Sequence, residues 1–285
     1  MMTMACAAVV CGSVQAEVNW KMGEGVTFDE KPIVSSEIAL AFDSKFLSYG
    51  LVDNNDPILT PSASMTFLDT LNISVSSIFD ISRYGRAAGY GDRGWRYQEL
   101  DPGAGLSHAF TPDEISWLPT TVELALGYMY EQHPRTVDDD TQFVTFSVGL
   151  PDLWIEPTFS YERDIDRDDG TYLNLELGHT FTLVEGGEEG ADDVLDFRLS
   201  VAQGWGDERR IDAYLETERS GMMDFCLKGE LTWRVTDGVM LGGYVAYTDY
   251  LFDSSLHQRA RDYEATGHWD ESWNFVAGCS LAIAF

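Results

Sequence analysis

The stretch Leu173-Asn174-Leu175-Glu176-Leu177-Gly178-His179-Thr180-Phe181-Thr182-Leu183 alternates at almost every step. Leu173, Leu175, Leu177, Phe181 and Leu183 fall on one side, and Asn174, Glu176, Gly178, Thr180 and Thr182 on the other. A period of two is the mark of a β-strand with one apolar and one polar face, because successive side chains point to opposite sides. The run is about twice the five or six residues usual in globular proteins. It matches the roughly 9–11 residues that cross a bilayer obliquely. Its polar face mixes a carboxylate, a glycine and small hydroxyls, as a wet lumen requires.

The same unit recurs on both sides of this segment. Ile38, Leu40 and Phe42 oppose Glu37, Ala39, Ala41 and Asp43, and Ala63, Met65 and Phe67 mark a second strand. Leu71, Ile73, Val75, Phe79 and Ile81 oppose Asn72, Ser74, Ser76 and Asp80. Residues 95–110 form the least regular unit, interrupted by Pro102. Val122, Leu124, Leu126, Tyr128 and Tyr130 oppose Glu123, Ala125, Gly127 and Glu131, and Val144, Phe146, Val148 and Leu150 follow. After Pro151-Asp152, a strand is expected with Leu153, Ile155, Phe159 and Tyr161 against Trp154, Glu156, Thr158, Ser160 and Glu162. Beyond the opening stretch come Leu195, Phe197, Leu199 and Val201, then Met223, Phe225, Leu227, Leu231 and Trp233, then Val239, Leu241, Val245 and Tyr247. The last strand carries Trp273, Phe275, Ala277, Cys279, Leu281, Ile283 and Phe285 on its apolar face.

The links between strands alternate in length. Residues 68–70, 151–152 and 236–238 are short, with 111–119 and 185–193 somewhat longer, whereas 82–93, 131–141, 205–221 and 252–271 are long and polar. Short periplasmic turns with long external loops are typical of outer-membrane barrels. The expected fold is therefore all-β: a transmembrane antiparallel up-and-down β-barrel of about 12 strands over residues 36–285, with both termini periplasmic. Closure leaves no strand edge unpaired in lipid.

Composition agrees once alternation is taken into account. Hydrophobic residues make up 44% of the 285, and no run approaches the apolar length of a membrane helix. The 18 Lys+Arg against 48 Asp+Glu give a net charge of -30, a field that repels phosphates and excludes a nucleic-acid partner. Residues 1–16 carry no charge and end Val14-Gln15-Ala16, the pattern of a signal peptide cut after Ala16. Residues 17–35 are then a periplasmic extension or a plug. Cys226 and Cys279 survive the cut, on strands two apart and with side chains on opposite faces, a geometry that no disulfide bridges.

The chain's final alternating strand resembles the assembly signal of bacterial outer-membrane proteins through Phe285 with Ile283, Leu281 and Phe275 on its face. That likeness implies the barrel assembly machinery as a partner, beside outer-membrane lipid and lipopolysaccharide. The segment Phe42-Asp43-Ser44-Lys45-Phe46-Leu47-Ser48-Tyr49-Gly50-Leu51 resembles the opening of the Gcw_chp-type outer-membrane proteins. Phe46 stands at that family's tyrosine and Tyr49 at its arginine. The resemblance implies an outer-membrane barrel and carries no substrate.

Parity assigns the lumen its charges. Glu37, Asp43, Asp80, Glu99, Glu123, Glu131, Glu156, Glu162, Glu176, Asp196, Asp224 and Glu230 face inward, against Lys45, Arg198, Lys228 and Arg234. Such a lumen favours cations over anions. The expected function is passive diffusion of small hydrophilic solutes with a cation preference. The alternative is a non-conducting barrel that acts through its external loops. No metal or cofactor is assigned. A barrel lipase is disfavoured because none of His108, His133, His179, His257 and His268 is followed two residues later by serine. An omptin-like protease would pair His133 with Asp138, Asp139 and Asp140, or His268 with Asp270, pairs that acidic loops produce readily. The run from Asp164 to Gly170 reads as an Asp-Gly turn, not a calcium loop, because its glycine falls one position late and Leu175 stands at the bidentate glutamate's place. Residues 209–219 form a short helix, solvated as loops commonly are or folded inward to narrow the pore.

Overall fold

A computed structural model describes residues 34–54, 56–81, 96–133, 140–186, 194–261 and 272–285. The proposed signal peptide and residues 17–33 lie outside the described residues, as do His268, Asp270, Asp138 and Asp139. The strands, in chain order, are β1 (Val34–Asp43), β2 (Phe46–Ser48), β3 (Leu51–Asn54), β4 (Ile58–Phe67), β5 (Leu71–Asp80), β6 (Arg96–Phe110), β7 (Val122–Glu131), β8 (Thr141–Gly149), β9 (Thr158–Asp164), β10 (Thr171–Val184), β11 (Leu195–Gly206), β12 (Gly221–Thr236), β13 (Val239–Asp249) and β14 (Asn274–Ala284). Two helices, α1 (Glu208–Leu215) and α2 (Ser254–Arg261), interrupt the β pattern.

Twelve of these strands close into an antiparallel barrel in the ring order β1-β14-β13-β12-β11-β10-β9-β8-β7-β6-β5-β4, and β2 pairs only with β3. Closure occurs between the first and last barrel strands, from Glu37 opposite Ala284 to Asp43 opposite Gly278. The barrel thus has no free edge, as lipid demands of backbone polar groups. Both described chain ends lie at the end that carries the short turns.

The alternation read from the sequence becomes an apolar outer surface. Ile38, Leu40, Ile73, Leu126, Leu175, Leu199, Leu227, Val245 and Leu281, from eight different strands, are all exposed on the outside. A continuous belt of this kind far exceeds the apolar patches of soluble monomers and is the face a bilayer covers. Exposed aromatics sit toward its two margins, with Trp117, Trp154, Trp233 and Phe285 at the short-turn end and Phe252, Trp273 and Phe275 at the other. Cys279 points out and Cys226 in, and both are free thiols.

Four local expectations are corrected. β1 begins at Val34, which pairs with Phe67, so Val34 and Ser35 belong to the barrel, not to the extension. The expected strand from Leu153 begins only at Thr158. Residues 150–157 form a turn, closed by Glu156 N donating to Leu153 O at 2.9 Å, with Glu156 at φ 36. The alternation of 153–156 continued across that turn by coincidence, and Pro157 lacks the N–H to extend a ladder backward. Met223, expected on the outer face, is fully buried inside because a register shift between Gln203 and Trp205 turns that part of β12 inward. Finally, α1 is not a solvated loop: Ile211 and Leu215 are buried over the lumen. Asp164 to Gly170 does form a turn, with Asp164 Oδ1 accepting from Asp166 N at 2.8 Å and Arg167 N at 2.9 Å.

Candidate functional site in the lumen

The link between β1 and β4 does not stay outside the barrel. Ser44 extends the β1–β14 ladder by donating its N–H to Ala277 O at 2.9 Å, and then β2 and β3 form a hairpin with a two-residue turn at Tyr49-Gly50. Both turn residues have positive φ, 48 and 79°, which is the type I′ geometry that suits a tight hairpin. A side chain at Gly50 would meet Asp224 Cβ at 2.6 Å, so only glycine fits this approach to the wall.

The hairpin spans the lumen. Tyr49, at its tip, donates its hydroxyl to Glu162 on β9. In the ring β9 lies six strands from β1 in either direction, so the hairpin reaches the wall opposite its root. Its flanks pack on one half of the barrel only. Leu47 and Val52 bury against Ala202, Cys226, Tyr244, Ala246 and Val276, from β11 to β14. Tyr49 and Leu51 join Tyr172, Met223, Tyr250 and the inward faces of α1 and α2, through Ile211, Leu215, Leu256 and Ala260.

Arg210 of α1 fixes the tip. It is fully buried, its Nη1 donates to the Tyr49 hydroxyl at 2.9 Å, and its guanidinium lies 3.5 Å from both Glu162 and Asp168. Its carbon stands 5.0 Å from the Tyr49 ring centroid and 5.5 Å from that of Phe143. Burial opposes its charge, but the tyrosine and carboxylate groups around it outweigh that and hold its pKa above the usual range. Asp207 caps the helix by accepting from Arg210 N at 3.0 Å. Sequence reading missed this hub. The cap and the tight-turn glycine are visible in the sequence, but nothing there says that the two loops meet.

The opposite half of the wall, β5 to β8, carries acids. Asp80 and Asp101 are buried facing inward, and Glu99, Glu131 and His133 gather at the long-loop end. Pairing of β6 with β7 runs from Phe110 to Gly103 and resumes only at Leu100, because Pro102 has no N–H to donate there. His133 Nε2 lies 3.0 Å from Glu131 and 3.6 Å from Glu99. Burial disfavours the imidazolium, yet these two carboxylates outweigh it and push the His133 pKa up.

Several of the remaining charges assigned to the lumen have partners inside the barrel. Asp43 accepts from Tyr244, and Asp224 from the Tyr172 hydroxyl at 2.8 Å. Lys228 pairs with Glu230 at 2.6 Å, and Lys45, just past β1, donates to Asn274 at 3.4 Å. Arg198 bonds Glu176 at 3.0 Å and also Glu156, which reaches it from the 150–157 turn and not from a strand. Glu37, Glu123, Asp196 and Arg234 line the half nearer the short turns and are partly exposed to its interior. In that half Ser107 Oγ and Ser280 Oγ are buried without a protein partner among the described residues, which leaves water to satisfy them. Phe275, Leu281, Ile283 and Phe285 all point outward from one face of the last strand and its end.

A serine, a histidine and an aspartate also meet at the long-loop end. Ser272 Oγ lies 3.1 Å from His257 Nδ1 and donates to Asp249 at 2.8 Å. The hydroxyl is buried and spends its proton on the carboxylate, whereas a nucleophilic triad gives it to the histidine. This cluster ties Ser272 and α2 to the end of β13.

No family model matches the chain, and no curated protein matches it. Among solved structures, the COG4313 outer membrane channel from Pseudomonas putida F1 is similar at 11% identity and TM-score 0.49, over 92% of this chain and all of that one. LpxR from Salmonella typhimurium is similar at 9% identity and TM-score 0.43, over 87% and 99%. OccAB3 of Acinetobacter baumannii is similar at 9% identity and TM-score 0.37, over 90% and 66%.

Proposed function

We propose that the protein is a bacterial outer-membrane channel for small hydrophilic solutes with a preference for cations, its short turns periplasmic and its long loops external. One observation carries this reading. The hairpin packs its apolar flanks on β10 to β14, away from β5 to β7, whose inward face carries Asp80, Glu99, Asp101, Glu123 and Glu131. A narrow passage beside an excess of carboxylates attracts cations and focuses their field in a low-dielectric surround. Twelve strands leave less room than the 16–18 of general porins, so the solutes are small.

The test is conductance of the purified barrel in a planar bilayer. Stable steps with a cation-selective reversal potential are expected, and Asp80→Asn with Asp101→Asn should reduce that selectivity. A folded but silent barrel overturns the channel. It would instead support a barrel closed by its own loops, a reading favoured by the buried core that joins the hairpin to α1 and α2. Attention would then pass to the outer surface of those loops.

A further inference from the structure

The register between β6 and the end of β7 places four metal-competent side chains on one face. Leu100 N donates to Gln132 O at 3.0 Å and Gln132 N returns a bond to Leu100 O at 2.9 Å, so these two form a hydrogen-bonded pair. Glu99 therefore stands opposite His133, and Asp101 opposite Glu131. In an antiparallel ladder these flanking positions are the non-hydrogen-bonded ones, where side chains come closest. One ligand atom from each of Glu99, Glu131 and His133 lies within 4.8 Å of the others. Ligands held about 2.0–2.2 Å from a metal stand about 3–3.5 Å apart, so small rotamer changes close this set around an ion.

Asp101 supplies a second, independent indication. Its side chain is 6% exposed, and Oδ2 accepts from Ser76 at 3.1 Å. Its Oδ1 is buried without a nitrogen or hydroxyl donor, and the Glu99 carboxyl is its hydrogen-bonding neighbour. Directly opposed like charges destabilise a sheet, and a buried carboxylate oxygen without a donor is costly. Glu99 and Asp101 stand close enough to share a proton, so three carboxyl groups and one imidazole crowd together on this face. A cation with more than one charge removes the conflict.

We propose that Glu99, Asp101, Glu131 and His133 bind one divalent transition-metal ion, of the zinc or manganese class, inside the barrel. Oxygen ligands alone would suit calcium or magnesium, and the imidazole shifts the preference toward metals that accept nitrogen. The site does not depend on conduction, so it stands or falls separately from the channel.

The protein, purified in detergent, freed of metal by a chelator and without an affinity tag, is titrated with zinc chloride by calorimetry. One zinc per barrel is expected. Glu131→Gln and His133→Ala should each weaken it about 10-fold or more, and His257→Ala should leave it unchanged. Zinc-edge X-ray absorption of the unmutated protein, which requires no variant to fold, should show a nitrogen and oxygen shell with imidazole scattering. No stoichiometric binding by the folded barrel, or a zinc shell without imidazole, overturns the site. So does calcium binding as tight as zinc's and indifferent to His133→Ala.

Discussion

Replacing Arg210 by methionine should release the hairpin from the far wall while leaving the barrel closed. The guanidinium is fully buried, and the side chains of Glu162 and Asp168 beside it are 2% and 8% exposed. Removing one partner of a buried ion pair costs about 3–5 kcal/mol, because the other charge is left stranded. The effective loss falls toward the lower value, since burial already lifts the Asp168 carboxyl above its usual range despite Arg210, which makes its protonation easy. None of this reaches the ladder hydrogen bonds of the twelve strands. The cost therefore appears as local opening, with the hairpin's opening equilibrium rising about 100-fold. Leu47 and Val52 keep their packing, so the root of the hairpin stays seated while the tip around Tyr49 leaves. Hydrogen exchange reads this directly as lost protection of amides 47–53 against unchanged protection in β10 and β11. Adding Glu162→Gln should restore part of the loss, as coupled partners do. Unchanged hairpin protection in Arg210→Met would refute the reasoning, and so would simple addition of the two single costs.

Two further outcomes test the membrane belt and the loop end. Val245, 62% exposed at the middle of β13, faces outward, so Val245→Arg should cost about 2–4 kcal/mol of barrel stability in lipid, read from the denaturant midpoint; an unshifted midpoint would mean that no bilayer covers this face. Asp253 caps α2 by accepting from Ser255 N at 3.0 Å and Leu256 N at 3.2 Å. Burial alone would raise its pKa, but these donors and Arg219 outweigh burial and lower it. An acid lowered on folding contributes fully above its unfolded value, about 4, and loses that contribution as pH falls through the folded one. Protease cleavage within 254–261 should accordingly rise below about pH 4 in the native protein. In Asp253→Ala it should be raised at neutral pH as well, by about 1 kcal/mol of cap energy.

The barrel was legible because its information is local. Period-two alternation needs only neighbouring residues, and the choice between lipid and lumen for Leu175 and Glu176 follows from polarity alone. Legibility failed where alternation outlived the strand. Trp154 and Glu156 keep the rhythm of the following strand, but the chain is turning there, and Met223 keeps it through a bulge that reverses its face. Polarity patterns carry no mark of such irregularities unless glycine or proline signals them, and Pro157 was the one sign available.

The lumen's contents obey a different logic. Parity says that a side chain points inward, never which strand across the barrel it meets, and the loops decide that. Phe46 to Leu51 begins as a plain continuation after β1, with apolar Leu47 and Leu51 that suit a strand in lipid as well as a hairpin in a core. What separates the two is Tyr49-Gly50, a turn signal too short-ranged to say where its tip lands. The acid cluster adds one more requirement. Glu99 and Glu131 were both placed in the lumen by parity, but their meeting with His133 depends on Leu100 facing Gln132, and a shift of one residue would turn a partner to the lipid face. The register set between Phe110 and Gly103 carries unchanged past Pro102 to Leu100, although a sequence displays that proline as a flaw in a strand. In the folded barrel the same proline marks the break in the ladder beside which four ionisable side chains converge. The least regular strand of the sequence therefore carries the most chemically specific arrangement in the protein, as expected when a local rule is broken for a site and not by accident.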